Sequence, residues 1–397
     1  MNDRHDVVVI GGGIMGATAL FELARRGVDA LLLESDPSFG GRDSSKTAGI
    51  IRTHYSNPEV VRMSIRGRDI FRDFPTLTGA PPVLHEIGYV FMASPGTLDQ
   101  ARANVAMQRE QGAQVEELPG SELGRFAPGA GTSDVAALFH EMGSGYADPV
   151  PAAQGFVAAA VRAGSQARAG VRVTRLLREG DEVVGVETPD GEIRCNAVVL
   201  AAGAWSKALA ATAGVDLPIT FSVEQELLLA VPLASAPTAS ISNSVDAVYE
   251  HPELGLDVPA GHMGVLVGTG FPKEYPTGDP QRYPDQDALP ELVNELRSRL
   301  AIRQPALAEA QIVSPRLGLY DITPDWHPLL GTTEQVEGLI LFTGGSGHGF
   351  KIAPAMAEMI AADYCGQPVD YANVGHFSLD RFARGERFVS TYGGNRA

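Results

Sequence analysis

The chain has 397 residues, 44% hydrophobic and 20% charged, with 45 glycines, which is enough apolar material for a large core and more than one domain. Its formal net charge of -17 excludes a nucleic-acid footprint, which needs clustered Lys and Arg, and disfavours an anionic membrane surface. No apolar run approaches the roughly 20 residues of a membrane-spanning helix, and the two cysteines, Cys195 and Cys365, have neither metal-site nor disulfide-framework spacing.

The polar start Asp3-Arg4-His5-Asp6 leads almost at once into apolar sequence, so no signal peptide is expected and the chain reads as soluble and cytoplasmic. Val7 to Ile10 is an uninterrupted apolar run suited to a buried parallel strand. Gly11, Gly13 and Gly16 follow as G-x-G-x-x-G. Ala17, Leu20, Leu23 and Ala24 then recur at helical spacing, and Gly27 ends the helix. A second apolar run, Ala30 to Leu33, terminates in Glu34. Strand, glycine turn, helix, strand and acid, in that order, are the parts of a dinucleotide site. Glycines admit the pyrophosphate to the backbone, the helix N-terminus faces its charge, and the acid accepts ribose hydroxyls. The competing reading is a tight turn in an unrelated α/β domain.

Residues 35–52 are rich in glycine and hydroxyl side chains, and a connection this long inside a compact domain is usually functional. Pro58 to Phe74 reads as a helix, Leu84 to Met92 as an alternating strand, and Leu98 to Gln111 as a helix. Val150 to Ala163 is a further helix, with Pro151 tolerated in its first turn. Val171–Thr174 and Val183–Glu187 are expected to be strands around the turn Glu179-Gly180-Asp181, and Asp190-Gly191 marks another hairpin. Ala197 to Ser206 is a buried strand running into a glycine turn and a helix. Phe221–Val231 and Gly264–Gly268 read as strands. The residues between them, and again Pro272 to Pro290, read as surface loops. Pro290 to Ala301 is a short helix. Leu339 to Phe342 is the last core strand, leading into the glycine loop Gly344 to Lys351 and the helix Ile352 to Ala362. No internal repeat or low-complexity tract is present.

Separated segments now agree. The N-terminal motif, Val198-Val-Leu-Ala-Ala-Gly-Ala-Trp205 and Thr343-Gly-Gly-Ser-Gly-His-Gly-Phe-Lys351 occur in the order found in FAD-dependent amine oxidoreductases. Gly318-Leu-Tyr-Asp-Ile-Thr-Pro-Asp325 strengthens the match. The chain resembles the D-amino-acid-oxidase superfamily, and within it the sarcosine oxidase and dimethylglycine dehydrogenase branch. The resemblance covers most of the chain and is looser in the middle, which shapes the substrate pocket. It implies an α/β fold of the glutathione-reductase type, with a Rossmann-like FAD-binding domain assembled from residues 1–83, 143–216 and 315–397. A substrate domain of residues 84–142 and 217–314, built on a large mixed β-sheet, would roof the flavin.

Glu34 suits the adenosine ribose, and the lack of an arginine there favours FAD or NAD over NADP; the later glycine segments favour FAD. The cofactor contacts expected from the first motif are Gly11, Gly13, Ile14, Met15, Gly16, Glu34 and Ser35. From the following loop they are Arg42, Ser44, Ser45, Thr47, Ala48, Gly49 and Ile50. Val173, Ala202, Gly203 and Trp205 are expected from the middle, and Gly345, Gly347, His348, Gly349, Phe350 and Lys351 from the C-terminal loop. No metal site is expected.

The resemblance assigns Arg52 and Lys351 to the substrate carboxylate. A guanidinium grips both oxygens, and an ammonium adds point charge. The bland alternatives are a salt-bridge partner for Arg52 and a simple helix start for Lys351. His348 would lie by the isoalloxazine and His54 near the pocket. Monomeric sarcosine oxidases carry a flavin-bonding cysteine where this chain has Gly318, so noncovalent FAD is expected. They also carry an oxygen-activating lysine where a loose alignment puts Leu266, which makes fast oxygen use doubtful; Lys273 is the nearby substitute. The reaction implied is oxidation of the C–N bond of an amino acid or N-alkyl amino acid by hydride transfer to flavin, giving an imine that water hydrolyses. Electrons would pass to O2 or another acceptor, in a monomer or homodimer. Oxidation of a 2-hydroxy acid, with His54 or His348 as base, and a noncatalytic FAD-binding subunit are the alternatives. The folate-binding extension of dimethylglycine dehydrogenases is not expected.

Overall fold

The computed structural model describes residues 4–270, 280 and 290–391. Two eight-stranded sheets and one three-stranded sheet organise them. In the first large sheet Arg4–Ile10 lies between Ala30–Glu34 and Gly191–Leu200, all parallel, and Val336–Thr343 continues the parallel set. Parallel strands need crossovers, and the crossover helices cover a face of the sheet. Here Val7, Val9, Leu32, Val199 and Phe342 pack in one core with Leu20 and Leu23 of the helix Ile14–Arg25, with Phe156 of Pro149–Arg162 and with Met356 of Gly349–Tyr364. Val8, Ile10, Leu31, Val198 and Leu341 point the other way, against the hairpin residues Leu176, Val183 and Val186. The uninterrupted apolar runs follow from that arrangement, because both faces of these strands are buried.

The second large sheet runs in the order Gln311–Ile322, Thr220–Pro232, His262–Thr269, Val248–Glu253, Ser240–Asn243, Tyr89–Ala93, Ala137–Glu141 and Glu116–Pro119. It is mixed: Ser240–Asn243 pairs parallel with Tyr89–Ala93, and its other pairings are antiparallel. Leu227, Leu229, Val265 and Val267 pack beneath Leu296 and Leu300 of the helix Pro290–Arg303. Alternation sends their neighbours to the opposite face. Glu224 stands across from Gly318, Ser222 from Tyr320, and Gly268 from both Glu226 and Tyr249. This polar face looks onto the first sheet.

Several expectations are corrected. Leu84 to Met92 is two strands, Leu84–His85 in the small sheet and Tyr89–Ala93 in the large one. They part at Gly88, whose φ of +85° puts the chain where a β-carbon would lie 2.9 Å from His140 Nε2. Val171–Thr174 is extended but not a strand; the hairpin partner of Glu182–Thr188 is Arg175–Glu179. The stretch between the two long strands holds Ser240–Asn243 and Val248–Glu253 rather than loops throughout. Asn243 Oδ1 turns the chain between them by accepting from Val245 N–H and Asp246 N–H, each at 3.0 Å. Strands this short carry too few alternations to declare themselves. The helix expected to end at Ala301 continues to Arg303. Gln311–Ile322 pairs with Thr220–Pro232 along its length. Lys273, and residues 272–279 and 281–289 of the expected loop, lie outside the described residues.

On the sheet face away from the site, Glu250 is 1% exposed. One oxygen accepts Gln304 Nε2 at 2.7 Å, and the other meets no donor among the described residues. Burial pushes this carboxyl up from its ordinary 4.5 to about 7. A raised acid is neutral in the fold at low pH and must ionise without solvent at high pH. Its contribution to stability is therefore intact below about 4.5 and lost as pH rises through about 7, by up to ~3 kcal/mol. Glu250→Gln is expected to raise the melting temperature at pH 8 and to leave it nearly unchanged at pH 4.5. Equal effects at both values would refute the assignment.

Candidate active site

The chain leaves Arg4–Ile10 through Gly11, whose φ is +101° and where a β-carbon would sit 2.4 Å from Ala201 O. Only glycine permits so close an approach of the two strand ends. The helix Ile14–Arg25 then opens with Gly13 at its cap and no side chain capping it. Its unpaired first-turn donors make an anion site; Ile14 N–H meets Ser44 Oγ at 3.0 Å. At the end of Ala30–Glu34, the Glu34 carboxylate accepts Gly12 N–H at 2.5 Å and Asp36 N–H at 2.7 Å. These bonds fix its direction at the edge of the turn.

A cleft of about 650 Å³ runs from Glu34 and Val173, past Gly11–Met15 and Ala202–Trp205, to Gly345–Phe350. Its opposite wall is the polar face of the second sheet, with Glu224, Glu226, Gly318 and Tyr320. Arg42, held by Asp36 at 2.8 and 2.6 Å, lies 5.3 Å over the Trp205 ring. A long cleft with a glycine turn, a helix N-terminus and an acid at one end fits an extended dinucleotide. Of the expected cofactor contacts, Gly11, Gly13, Ile14, Met15, Glu34, Ser35, Arg42, Ser44 and Thr47 line it. So do Val173, Ala202, Gly203, Trp205, Gly345, Gly347, Gly349 and Phe350. Gly16 does not; a β-carbon there would meet Gly11 O at 1.8 Å, so it serves the close helix–turn contact. Ser45 bonds Gly41 O and Arg42 O within its own turn, and Gly49 packs on Ala147 O. Ala48, Ile50, His348 and Lys351 line an adjoining pocket instead.

That pocket, of about 220 Å³, brings together Arg52, His54, His348 and Lys351 from segments 300 residues apart. Arg52 follows the strand Ile50–Ile51, donates to His54 O, and lies 4.1 Å from the Tyr55 ring and 5.9 Å from that of Tyr89. Thr53 N–H, next in the chain, is held by buried Glu141 Oε2 at 2.8 Å. Lys351 begins the helix Gly349–Tyr364, is 7% exposed and makes no hydrogen bond or ion pair among the described residues. Burial first, and then the Arg52 charge, hold its ammonium well below 10.5. The imidazole of His54, stacked 4.0 Å from Phe91, is held well below 6.5 by burial and by Arg52. His348 is lowered likewise by burial and then by His327, and its Nε2 meets no partner among the described residues. A half-buried guanidinium and a buried lysine beside neutral imidazoles suit an anionic ligand.

An anionic ligand favours protonated Lys351, so affinity should fall as pH rises above the lowered pKa of the free protein. A carboxylate titrated into the FAD-loaded protein at several pH values is expected to bind more weakly by up to about tenfold per pH unit. Lys351→Met should flatten that slope; an unchanged slope would move the effect to another group.

Asp321 and the two acids of Thr220–Pro232 escaped sequence reasoning. Asp321, half-buried and raised by desolvation, accepts Gly344 N–H at 2.6 Å, Gly345 N–H at 3.0 Å and Thr343 Oγ1 at 3.1 Å, and so holds the C-terminal glycine loop. Asp43, also in the cleft, accepts Leu319 N–H at 3.0 Å and is pushed up to about 6 by burial. Glu224 and Glu226 did leave a signal, as acids two apart inside an otherwise apolar run. Thr47, Glu224, Tyr320 and Gly347 line both spaces, so the pocket and the cleft adjoin. Leu266 is buried between Leu228 and His251 and lines neither space. Among the described residues the lysines lining them are Lys46 and Lys351.

Fold and site together define a dinucleotide-binding α/β protein whose cleft adjoins a pocket lined by Arg52 and Lys351. The chain belongs to the FAD dependent oxidoreductase family, whose model matches residues 6–363, as the sequence motifs implied. It is 28% identical over 400 residues to a glycine oxidase of Pseudomonas aeruginosa, covering 94% of this chain and 100% of that one. It is 27% identical over 357 residues to the 4-methylaminobutanoate oxidase (formaldehyde-forming) of Paenarthrobacter nicotinovorans, covering 89% of this chain but 43% of that enzyme, less than half its length. The crystal structure of L-proline dehydrogenase from P. horikoshii superposes with a TM-score of 0.87 at 26% identity, covering 98% of this chain and 100% of that one. Among the described residues, no helix is long and apolar enough to cross a membrane.

Proposed function

We propose that this chain oxidises the C–N bond of an amino acid, with a primary amine or an N-alkyl or cyclic secondary one, using noncovalently held FAD. The observation that carries the reading is the pairing of half-buried Arg52 with buried Lys351 in a pocket that shares walls with the cofactor cleft. They would hold the carboxylate and turn the C–N bond toward that cleft. FAD, when bound, accepts the two electrons of the oxidised bond. The protein contributes orientation and charge, and water hydrolyses the imine released. The acids that name the relatives, glycine, methylaminobutanoate and proline, are all amines with a carboxylate, which supports the same class. Glu34, the glycine turns and the loop held by Asp321 would bind the cofactor, with the second sheet as its roof. Gly318 offers no side-chain atom to bond it.

The test is anaerobic addition of sarcosine, proline, glycine and D-amino acids, followed by 2-hydroxy acids, to the purified FAD-loaded protein. Bleaching of the flavin bands by an amino acid is expected. Bleaching by hydroxy acids alone would transfer the reading to alcohol oxidation, with His348 Nε2 as the available base. Acid precipitation is expected to leave the flavin in the supernatant; a yellow pellet would contradict noncovalent binding.

A further inference from the structure

We propose that Trp326 is a specificity-determining wall of the substrate pocket, and that the acid it selects carries an apolar or aromatic group rather than the bare carbon of glycine. The inference rests on the C–N oxidation reading and deepens it by naming the substrate class. Among the described residues, three that are not glycine have a positive φ: Ala247 at +55°, Trp326 at +59° and Ser346 at +47°. They come from three separate segments, and all three line the pocket that holds Arg52 and Lys351. The left-handed region is strained for a bulky residue and relaxed for glycine. Such strain clusters at functional sites, where the surrounding structure enforces it.

That enforcement is dense around Trp326. Its N–H closes a turn on Thr323 O at 3.1 Å. On one side Asp325 is gripped by the fully buried Arg381, Nε to Oδ2 at 2.9 Å and Nη2 to Oδ1 at 2.8 Å. On the other, His327 O accepts Arg381 Nη2 at 2.9 Å and Thr323 Oγ1 at 2.7 Å. Ser346 is tied to the same turn: its N–H donates to Asp321 O at 3.0 Å, and its Oγ accepts Thr323 N–H at 3.3 Å. Asp325 and His327 are buried, yet Trp326 between them is only half-buried. An anchored, strained backbone therefore keeps a tryptophan with open surface at the pocket wall. Tyr89, Phe91, Tyr249 and Tyr320 line the same space. Aromatic faces suit an apolar or aromatic group, and Arg52 and Lys351 suit the carboxylate that carries it.

The test uses acetate and phenylacetate, acids without an amine, which bind without turnover and are read by calorimetry on the FAD-loaded protein. The wild type is expected to prefer phenylacetate by at least about tenfold. Trp326→Gly, which suits the left-handed backbone, should lower that preference to about threefold or less while changing acetate affinity little. Trp326→Asn, which also tolerates that conformation, is read instead if the Gly variant loads no FAD, with the same result expected. Trp326→Phe should keep most of the preference. No wild-type preference, an unchanged preference without the ring, or an equal loss for both acids would overturn the inference. So would loss of FAD from both the Gly and Asn variants, the mark of a purely structural residue. If amino acids still bleach the wild-type flavin in those cases, C–N oxidation stands and another wall chooses the side chain. If the preference follows Trp326 but no amino acid bleaches the flavin, the C–N reading falls and the pocket for apolar acids remains.

Discussion

Arg52→Ala is expected to lower kcat/KM for an amino-acid substrate by about a hundredfold or more, most of it in KM, with FAD still bound. Arg52 lies between the Tyr55 and Tyr89 rings in the pocket wall and shares that pocket with Lys351. Removing one partner of a buried charge contact costs roughly 2–5 kcal/mol, and 1.4 kcal/mol is tenfold. Arg52→Lys should recover only part of the loss, because an ammonium cannot present two parallel donors to a carboxylate. The rate of anaerobic flavin bleaching against substrate concentration, with the flavin-to-protein ratio measured alongside, checks both variants. An unaltered concentration dependence in Arg52→Ala would remove the arginine from the carboxylate site.

The second large effect is expected at Asp321, through the cofactor instead of the substrate. Asp321→Ala strands the N–H groups of Gly344 and Gly345, whose acceptor is this carboxylate, while the Thr343 hydroxyl keeps Ser206 Oγ and Gly203 O. Each buried donor left unmet costs about 1–3 kcal/mol, so the loss should reach ~2 kcal/mol or more. The melting temperature should fall by roughly 2 °C or more. Gly345, Gly347 and Gly349 line the cleft, and the protein should purify with well under one flavin per chain. Asp321→Asn keeps one acceptor oxygen and should load more FAD than the Ala variant. Full flavin content and an unchanged melt in Asp321→Ala would mean that the loop holds its shape without the carboxylate.

The first half of the cofactor cleft was legible because its signals are local. A strand buried on both faces is an unbroken apolar run, and a turn pressed against Ala201 O has to be glycine at Gly11. Glu34 sits where the second strand stops. Each feature lies within a few residues of the next, so chain order nearly reproduces spatial order. The second sheet was harder to read. Ser240–Asn243 and Val248–Glu253 are four and six residues long, and their partners are remote in sequence, so neither period nor turn chemistry marks them strongly. Gly88 divides one apparent strand between two sheets, a choice made by the pairing partners and not by the nine residues themselves.

By itself, the sequence determined the dinucleotide motif, the family and the residue types able to bind a carboxylate. These depend on backbone geometry and short-range pattern. Only the tertiary structure decided that Arg52, His54, His348 and Lys351 share one pocket, and that Gly16, Ser45 and Gly49 support the cleft without lining it. It also decided that Glu224 meets both spaces and that Asp321 carries the C-terminal loop. The physical reason is that a charge acquires its role from desolvation and from its neighbours, and the fold brings both from segments hundreds of residues apart.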